Sequence, residues 1–415
     1  MAHSTHPTFP AATGAAISAA TAAQGAQGDP MPPAPLVPGP GAATRRRWLL
    51  ALAAGSLWPV GAAWALPERT LAFPRDHGSH PDLRTEWWYI TGQAWAGGRP
   101  WGFQVTFFRS RVEAAQPLQS SFAAKQLIFG HAALTDVQGQ RLVHDQRIAR
   151  AGFGIAGAEE GDTAVRLRDW SLTRTDAAGP GRSRYAARVQ GSAFALELQF
   201  DSTQPVLLQG RGGLSRKGPD AAQASYYYSQ PQLAVSGHIT LQGQRMAVQA
   251  PPASSGGADA LPTNRAWMDH EWSEALMHPE AVGWDWIGMN LADGSALTAF
   301  RLRRADGSAL WAGGSVRGAG EQAASVFAHD AVVFTPLRRW RSGHSDAHYP
   351  VEWRVQTPAG DFTVHALLDD QELDSQGSTG AIYWEGLSEL RDAGGRAVGR
   401  GYLEMTGYAK RLQLG

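Results

Sequence analysis

Residues 193–200 read AFALELQF, which places Phe194, Leu196, Leu198 and Phe200 on one side of an extended chain and Glu197 and Gln199 on the other. A period of two is the signature of a half-buried strand, because successive side chains leave opposite faces of the pleat. The pattern recurs. GHITLQGQRMAVQA (237–250) folds back near Gln242-Gly243, and Asp293-Gly294 and Asp306-Gly307 each separate two alternating apolar runs, which is hairpin chemistry. Only SSFAAKQLIF, near Ser121, reads as a short helix. The fold class expected is all-β. Antiparallel strands joined by short turns must hide their edges, and closing into a barrel does so.

An internal echo points to two such barrels. EWWYITG (86–92) leads through Gly102-Phe103 to VTFFR ending at Arg109, and GWDWIGMN (283–290) leads through Gly294 to LTAFR ending at Arg301. A repeat of this length implies two similar β domains and excludes a short-period solenoid. Residues 66–235 and 236–415 are expected as the two units, dividing near QPQLAVSG (230–237).

What precedes residue 66 has a different composition. Residues 1–43 are rich in Ala, Pro, Gly and Ser and are expected to be disordered, because they cannot bury enough apolar surface to offset ordering entropy. Residues 44–65, TRRRWLLALAAGSLWPVGAAWA, place an arginine cluster before an apolar run that ends in Ala63-Trp64-Ala65. That is the layout of a cleaved signal peptide of the twin-arginine type, which predicts a periplasmic or secreted protein. The run is short for a bilayer span and contains Pro59, so no transmembrane span is expected in the mature chain. Of 37 basic and 37 acidic residues, Arg45, Arg46, Arg47 and Asp29 lie before Leu66, which leaves 34 and 36. A balance of −2 argues against nucleic acid as a partner. The absence of cysteine excludes disulfides, thiolate metal sites and a cysteine nucleophile.

The chemistry-bearing residues crowd into WMDHEWSEALMHPEAVGWDWIG (267–288), which holds five acids, two histidines and four of the sixteen tryptophans. If WMDHEWS is a strand, Met268, His270 and Trp272 share one face, and Trp267, Asp269 and Glu271 the other. In GWDWIG, Trp284 and Trp286 share a face opposite Asp285. For Asp269 and Glu271 a structural role, accepting hydrogen bonds from indole and backbone N–H groups, is favoured over catalysis. Trp87, Trp88 and Tyr89 read as core or as lining of a ligand cavity, and Glu86 as a buried ion-pair partner, with Arg109 the candidate. Tyr226 and Tyr228 in SYYYSQ share one face, which can touch ligand. Tyr383 and Trp384 beside Glu385 repeat the acid-in-aromatic-strand pattern of Glu86 and supply lining for the space between barrels; that space or a barrel mouth is the expected ligand site. Asp76-His77-x-x-His80 has metal-like spacing but no evident third ligand, so no metal is expected. The glycine-rich QGRGGLSRKG (209–218) lacks a phosphate-loop context and reads as a connection. No G-x-S-x-G elbow is present, which removes the usual serine chemistry of a hydrolase.

FPRDHGSHPDLRTEWWYITG, GFQVTFFR, SYYYSQPQL, WMDHEWS, GWDWIGMNLADG, YWEGL and GYLEMTGY together resemble the AttH-like proteins, relatives of the carotenoid hydratases that are often labelled secreted hydrolases. The resemblance spans residues 73–408 and implies two tandem lipocalin-like (calycin) barrels. It implies an apolar isoprenoid- or lipid-like ligand, either hydrated across a carbon–carbon double bond or bound without chemistry as partner of an ABC transport system, between which the sequence does not decide; hydrolysis ranks behind both. No cofactor is implied. Hydration of an isolated trisubstituted alkene passes through a tertiary carbocation, which calls for a protonated acid, aromatic faces and a water-positioning base. The His-x-Trp of DHEW matches the hydratase motif, so the resemblance assigns His270 and Trp272, with Asp285 as first and Asp269 as second choice of acid. Trp284 and Trp286 complete the aromatic lining.

Overall fold

The structure is a computed structural model that describes residues 65–252, 261, 263–275 and 277–412. The readings of residues 1–43 and of the leader through Trp64 fall outside the described residues. Those from Ala65 on belong to one compact unit.

Fourteen strands form the first sheet: β1 (Thr85–Ala96), β2 (Arg99–Arg111), β3 (Gln126–Asp136), β4 (Arg141–Arg150), β5 (Ala156–Ala158), β6 (Ala164–Leu167), β7 (Trp170–Asp176), β8 (Ser183–Gln190), β9 (Phe194–Asp201), β10 (Leu207–Leu208), β11 (Leu214–Arg216), β12 (Ala224–Leu241), β13 (Gln244–Ala247) and β14 (Arg265–Ala275). Ten form the second: β15 (Gly283–Leu291), β16 (Ala296–Arg303), β17 (Ala309–Arg317), β18 (Ser325–Val326), β19 (Val333–Arg341), β20 (His348–Thr357), β21 (Gly360–Ala366), β22 (Glu372–Ser375), β23 (Ala381–Arg391) and β24 (Ala397–Met405). The first sheet runs β4-β3-β2-β1-β14-β12-β9-β8-β7-β6-β5, and its far end returns against β3 and β4, so it nearly closes. The second runs β18-β17-β16-β15-β24-β23-β21-β20-β19. The protein is all-β with two lipocalin-like sheets in tandem. Among the described residues the only helical turns are short 3-10 turns at Arg75–His77 and Glu113–Ala115.

The hairpins form where the dipeptides placed them. Gln242 and Gly243 both have positive φ, 51° and 82°, as a two-residue turn of primed type demands. The helix expected near Ser121 does not form: from Gln126 onward that run is β3, paired on both sides by β2 and β4. Two long-range ladders outweigh the weak local helix signal. The stretch 230–237, expected as the domain seam, lies inside β12, where a bulge at Gln232 (φ 57°) bends the strand. β14 still pairs with β1 and β12, so the chain changes sheets between Ala275 and Gly283.

The echo has a physical basis. Glu86 stands directly opposite Arg109 across β1 and β2, and Asp285 directly opposite Arg301 across β15 and β16. Both pairs are buried ion pairs, at 2.8 and 2.7 Å. Each barrel interior is filled by its own side chains: Trp88, Trp101, Phe103, Trp170, Leu196 and Phe200 in the first, Ile287, Phe334, Tyr349, Trp353, Trp384 and Leu403 in the second. A third apolar cluster, with Tyr89, Trp267, Trp286, Phe300 and Tyr402, packs outer face to outer face between the sheets. Gly102 permits that approach, since a Cβ there would sit 2.9 Å from the Tyr402 hydroxyl and 3.0 Å from Cβ of Leu387.

Candidate functional site

β1 and β14 run antiparallel with Trp87 opposite Glu271, Trp88 opposite His270 and Tyr89 opposite Asp269. The pleat sorts these residues into the two faces expected from the alternation. The resemblance points to the His270 and Trp272 face, whereas the cavity lies on the face that carries Asp269 and Glu271. Glu86, Trp88, His270 and Trp272 turn into the first barrel, where all four are fully buried. Trp87, Tyr89, Asp269 and Glu271 turn outward, toward the second sheet. β12 is sorted in the same way, with Tyr226 and Tyr228 packing with Trp272 and Tyr227 on the other side.

The outward faces enclose a cavity of about 310 Å³. Its aromatic wall includes Trp87, Tyr89, Tyr227, Trp284, Trp286 and Tyr383. Asp269, Glu271, Glu385 and Glu404 line the same space, and Glu86 borders it from β1. β23 alternates Tyr383 and Glu385 into the cavity, with Trp384 between them in the second core. Glu385 and Glu404 stand directly opposite one another across β23 and β24. Like charges at such a position repel, so a proton is retained there.

The carboxyl groups differ in what holds them. Asp269 accepts hydrogen bonds from Tyr227 (2.7 Å), Ser229 (2.5 Å) and the Trp267 indole (2.7 Å). Burial nonetheless raises its pKa to about 7, helped by the Glu271 charge. Glu271 pairs with Lys217 at 3.0 Å, and the Lys217 ammonium also lies 4.5 Å from the Tyr227 and Phe300 ring centres. Glu385 accepts a hydrogen bond at Oε2 from Gln104 (2.7 Å), and the Tyr89 hydroxyl stands by the same carboxyl group, where it works against the upward shift. Burial and the neighbouring Glu404 push its pKa well above the ordinary carboxylate range. Burial also raises Glu404 to about 7, reinforced by the Asp269 and Glu271 charges. His131 ties the barrels together beside the cavity: Nδ1 lies 2.9 Å from the Tyr383 hydroxyl and Nε2 2.8 Å from Ser378.

A second polar cluster lies beneath the first barrel. Glu86 Oε1 meets His80 Nδ1 at 2.7 Å and His270 Nε2 at 3.0 Å, while Oε2 meets Arg109 and Ser79. His80 Nε2 reaches Asp76 at 3.0 Å, and the Tyr228 hydroxyl lies between His270 Nδ1 (3.2 Å) and His77 Nδ1 (2.7 Å). His80 stacks on Trp272 at 3.9 Å, and His270 on Trp88 at 4.7 Å. Burial would raise Glu86, but the hydrogen bonds from His270 and His80 hold it well below its usual value. Burial drives His270 down to about 4 despite Glu86. The third ligand that the sequence did not supply to His80 is present: His80, Glu86 and His270 offer donor atoms within 4.8 Å of one another. The two imidazoles already converge on Oε1, and the Arg109 guanidinium sits on the same carboxylate, so the arrangement is complete as a hydrogen-bonded network.

Of the expected catalytic set, Asp269 alone lines the cavity. Asp285 does not: Arg301 takes one oxygen at 2.7 Å, Arg303 and Tyr408 the other at 3.1 and 2.8 Å. It is the second barrel's counterpart of Glu86. Among the aromatics expected at ligand, Trp87, Tyr89, Trp284, Trp286 and Tyr383 line the cavity, whereas Trp88, Tyr226, Tyr228 and Trp384 belong to the interiors. Sequence reading missed Glu385 as a site residue, and with it Glu404, Lys217 and Gln104. The alternation from Tyr383 to Glu385 was a usable signal; the pairing with Glu404 required the register.

The fold and site define a class: tandem lipocalin-like barrels whose interiors are filled and whose cavity lies between them. The AttH-like family profile matches residues 64–408, and the chain belongs to that family. It is similar to the crystal structure of a candidate AttH from Nitrosomonas europaea, at 45% identity over 83% of this chain and 99% of that one, with a TM-score of 0.73. Kievitone hydratase from Nectria haematococca shares the fold at 14% identity, over 82% of this chain and 94% of that one, with a TM-score of 0.60. No curated protein sequence matches the chain.

Proposed function

We propose that the protein binds a small apolar, isoprenoid- or lipid-like molecule between its two barrels and adds water across a carbon–carbon double bond. One observation carries this reading: the cavity combines aromatic faces with carboxyl groups that burial and mutual repulsion keep protonated near neutral pH. Glu385 is the proton donor, because burial and the facing Glu404 oppose its ionisation. The proton passes from Glu385 to the less substituted alkene carbon, leaving a tertiary cation facing the indoles of Trp284 and Trp286. Each well-placed ring stabilises such a cation by about 0.5–2 kcal/mol. Asp269, fixed by three donors, takes a proton from water as the oxygen adds. Proton return from Asp269 to Glu385 closes the cycle, and the sum is alkene plus water to tertiary alcohol. The cavity holds the equivalent of roughly ten water volumes, which admits a short chain or the end of a longer one. That a hydratase has the same architecture is consistent with this chemistry.

Incubation with short acyclic isoprenoids tests the proposal. Wild type yields a product 18 mass units heavier, and Glu385→Gln does not, while both quench tryptophan fluorescence on binding. Quenching without product in wild type establishes a carrier, the reading in which an ABC transport system is the partner. Neither quenching nor product across a broad lipid panel refutes both. The twin-arginine leader supports a further proposal, that the protein acts in the periplasm or outside the cell.

A further inference from the structure

Independently of the cavity, we propose that one end of the first barrel docks on an anionic lipid surface through Phe122 and Phe153. The two rings are 71% and 56% exposed and stack at 5.5 Å, far outside either core. Leu118, Ile148 and Ile155 on the neighbouring segments are exposed as well, at 51%, 37% and 44%. Isolated exposed apolar residues are ordinary, but a clustered set this large marks an interaction surface.

The backbone commits to the display. Gly152, Phe153 and Gly154 have φ of 108°, 58° and 67°, so a bulky aromatic is held in the left-handed region between two glycines. The turn is fixed by Gly152 N–H to Ala156 O (2.8 Å) and Ile155 N–H to Gly152 O (3.1 Å). A phenylalanine in that conformation is turned to solvent, packs on another exposed ring and on Arg150, and belongs to neither core.

The rim names the partner. The Arg150 guanidinium sits 4.2 Å from the Phe153 ring centre and 5.6 Å from that of Phe122, and it donates to the Phe122 carbonyl at 2.7 Å. Arg168 donates its backbone N–H to Ile155 O at 2.7 Å, and Arg166 lies two residues before it on β6. Lys125 follows Phe122 by three residues. Among the described residues none of these four cations has a carboxylate at ion-pair distance, whereas nearby Asp169 is taken by Arg147. Aromatic rings with one arginine over them and further unneutralised cations on the segments beside them match the boundary between acyl chains and anionic headgroups. The net charge of the chain is near zero, so this attraction is local to the patch.

Co-sedimentation of the full chain with phosphatidylcholine vesicles, with and without phosphatidylglycerol, tests the inference. The parent binds, more tightly when phosphatidylglycerol is present. Phe122→Ser with Phe153→Ser lowers the partition coefficient by about tenfold or more. Arg168→Gln lowers it several-fold on the anionic vesicles alone, and added salt does the same. Both Phe side chains are exposed, so the thermal transition of the double variant matches the parent and excludes misfolding as the cause. Undiminished binding by the double variant assigns the membrane contact to the leader and overturns the inference. So does absence of binding by the parent, or a dimer that the double variant dissociates, in which case the surface meets a second copy of the chain.

Discussion

Asp285→Asn separates a structural acid from a catalytic one. In the folded protein Asp285 is fully buried and receives Arg301 Nε at 2.7 Å, Arg303 Nη1 at 3.1 Å and the Tyr408 hydroxyl at 2.8 Å. The two arginine side chains are only 10% and 6% exposed. Asparagine keeps the shape and one carbonyl acceptor but removes the carboxylate charge that pairs with both. Leaving a buried cation without its partner costs about 3–5 kcal/mol. Here two cations lose one anion, while some hydrogen bonding survives, so a loss of about 3 kcal/mol is expected. Urea unfolding monitored by tryptophan fluorescence reads this as a lower midpoint, with the slope unchanged if unfolding remains two-state. In buffer the folded fraction of the variant should still bind ligand and form product, because no atom of Asp285 lines the cavity. Unchanged stability together with lost turnover would refute the structural assignment and restore Asp285 as the acid.

The raised acids predict an inverted pH response. An acid whose pKa rises on folding takes up protons as the chain folds, so its stabilisation is full below the unfolded pKa near 4.5 and is lost as pH rises through the folded value, about 7 for Glu404. Glu404→Gln should therefore match wild type near pH 4 and exceed it above pH 8, by on the order of 1–3 kcal/mol; equal stability at both pH values would contradict the buried-acid reading. Chelation should leave the thermal transition unmoved, since the His80–Glu86–His270 cluster is satisfied by its own hydrogen bonds. Stoichiometric zinc or iron in the purified protein would reverse that. Replacing Arg45 and Arg46 by lysine should retain the precursor in the cytoplasm, and mature protein outside it in cell fractions would exclude the twin-arginine route.

The sequence by itself determined a good deal. Alternation and turn dipeptides fixed the all-β class and the hairpins, because both are local consequences of backbone geometry. The Phe-Arg echo anticipated two similar barrels and the Glu86–Arg109 pair. The two faces of β14 were also legible, His270 with Trp272 and Asp269 with Glu271. What alternation lacks is a label saying which face meets the core. Hydrophobicity supplies that label when one face is apolar and the other charged. In 267–272 each face carries an indole beside an ionisable group, so the label is missing. Only the tertiary structure decided. β1 and β12 flank β14 and add Glu86 and Tyr228 to the His270 side, where hydrogen bonds satisfy every ionisable group and seal it. The opposite side meets Glu385 and Glu404 from strands more than a hundred residues away, whose charges leave a cavity in which protons are held. A carboxyl group's protonation depends on its burial and on the charges near it, and both were set by strand register and by the packing of the two sheets.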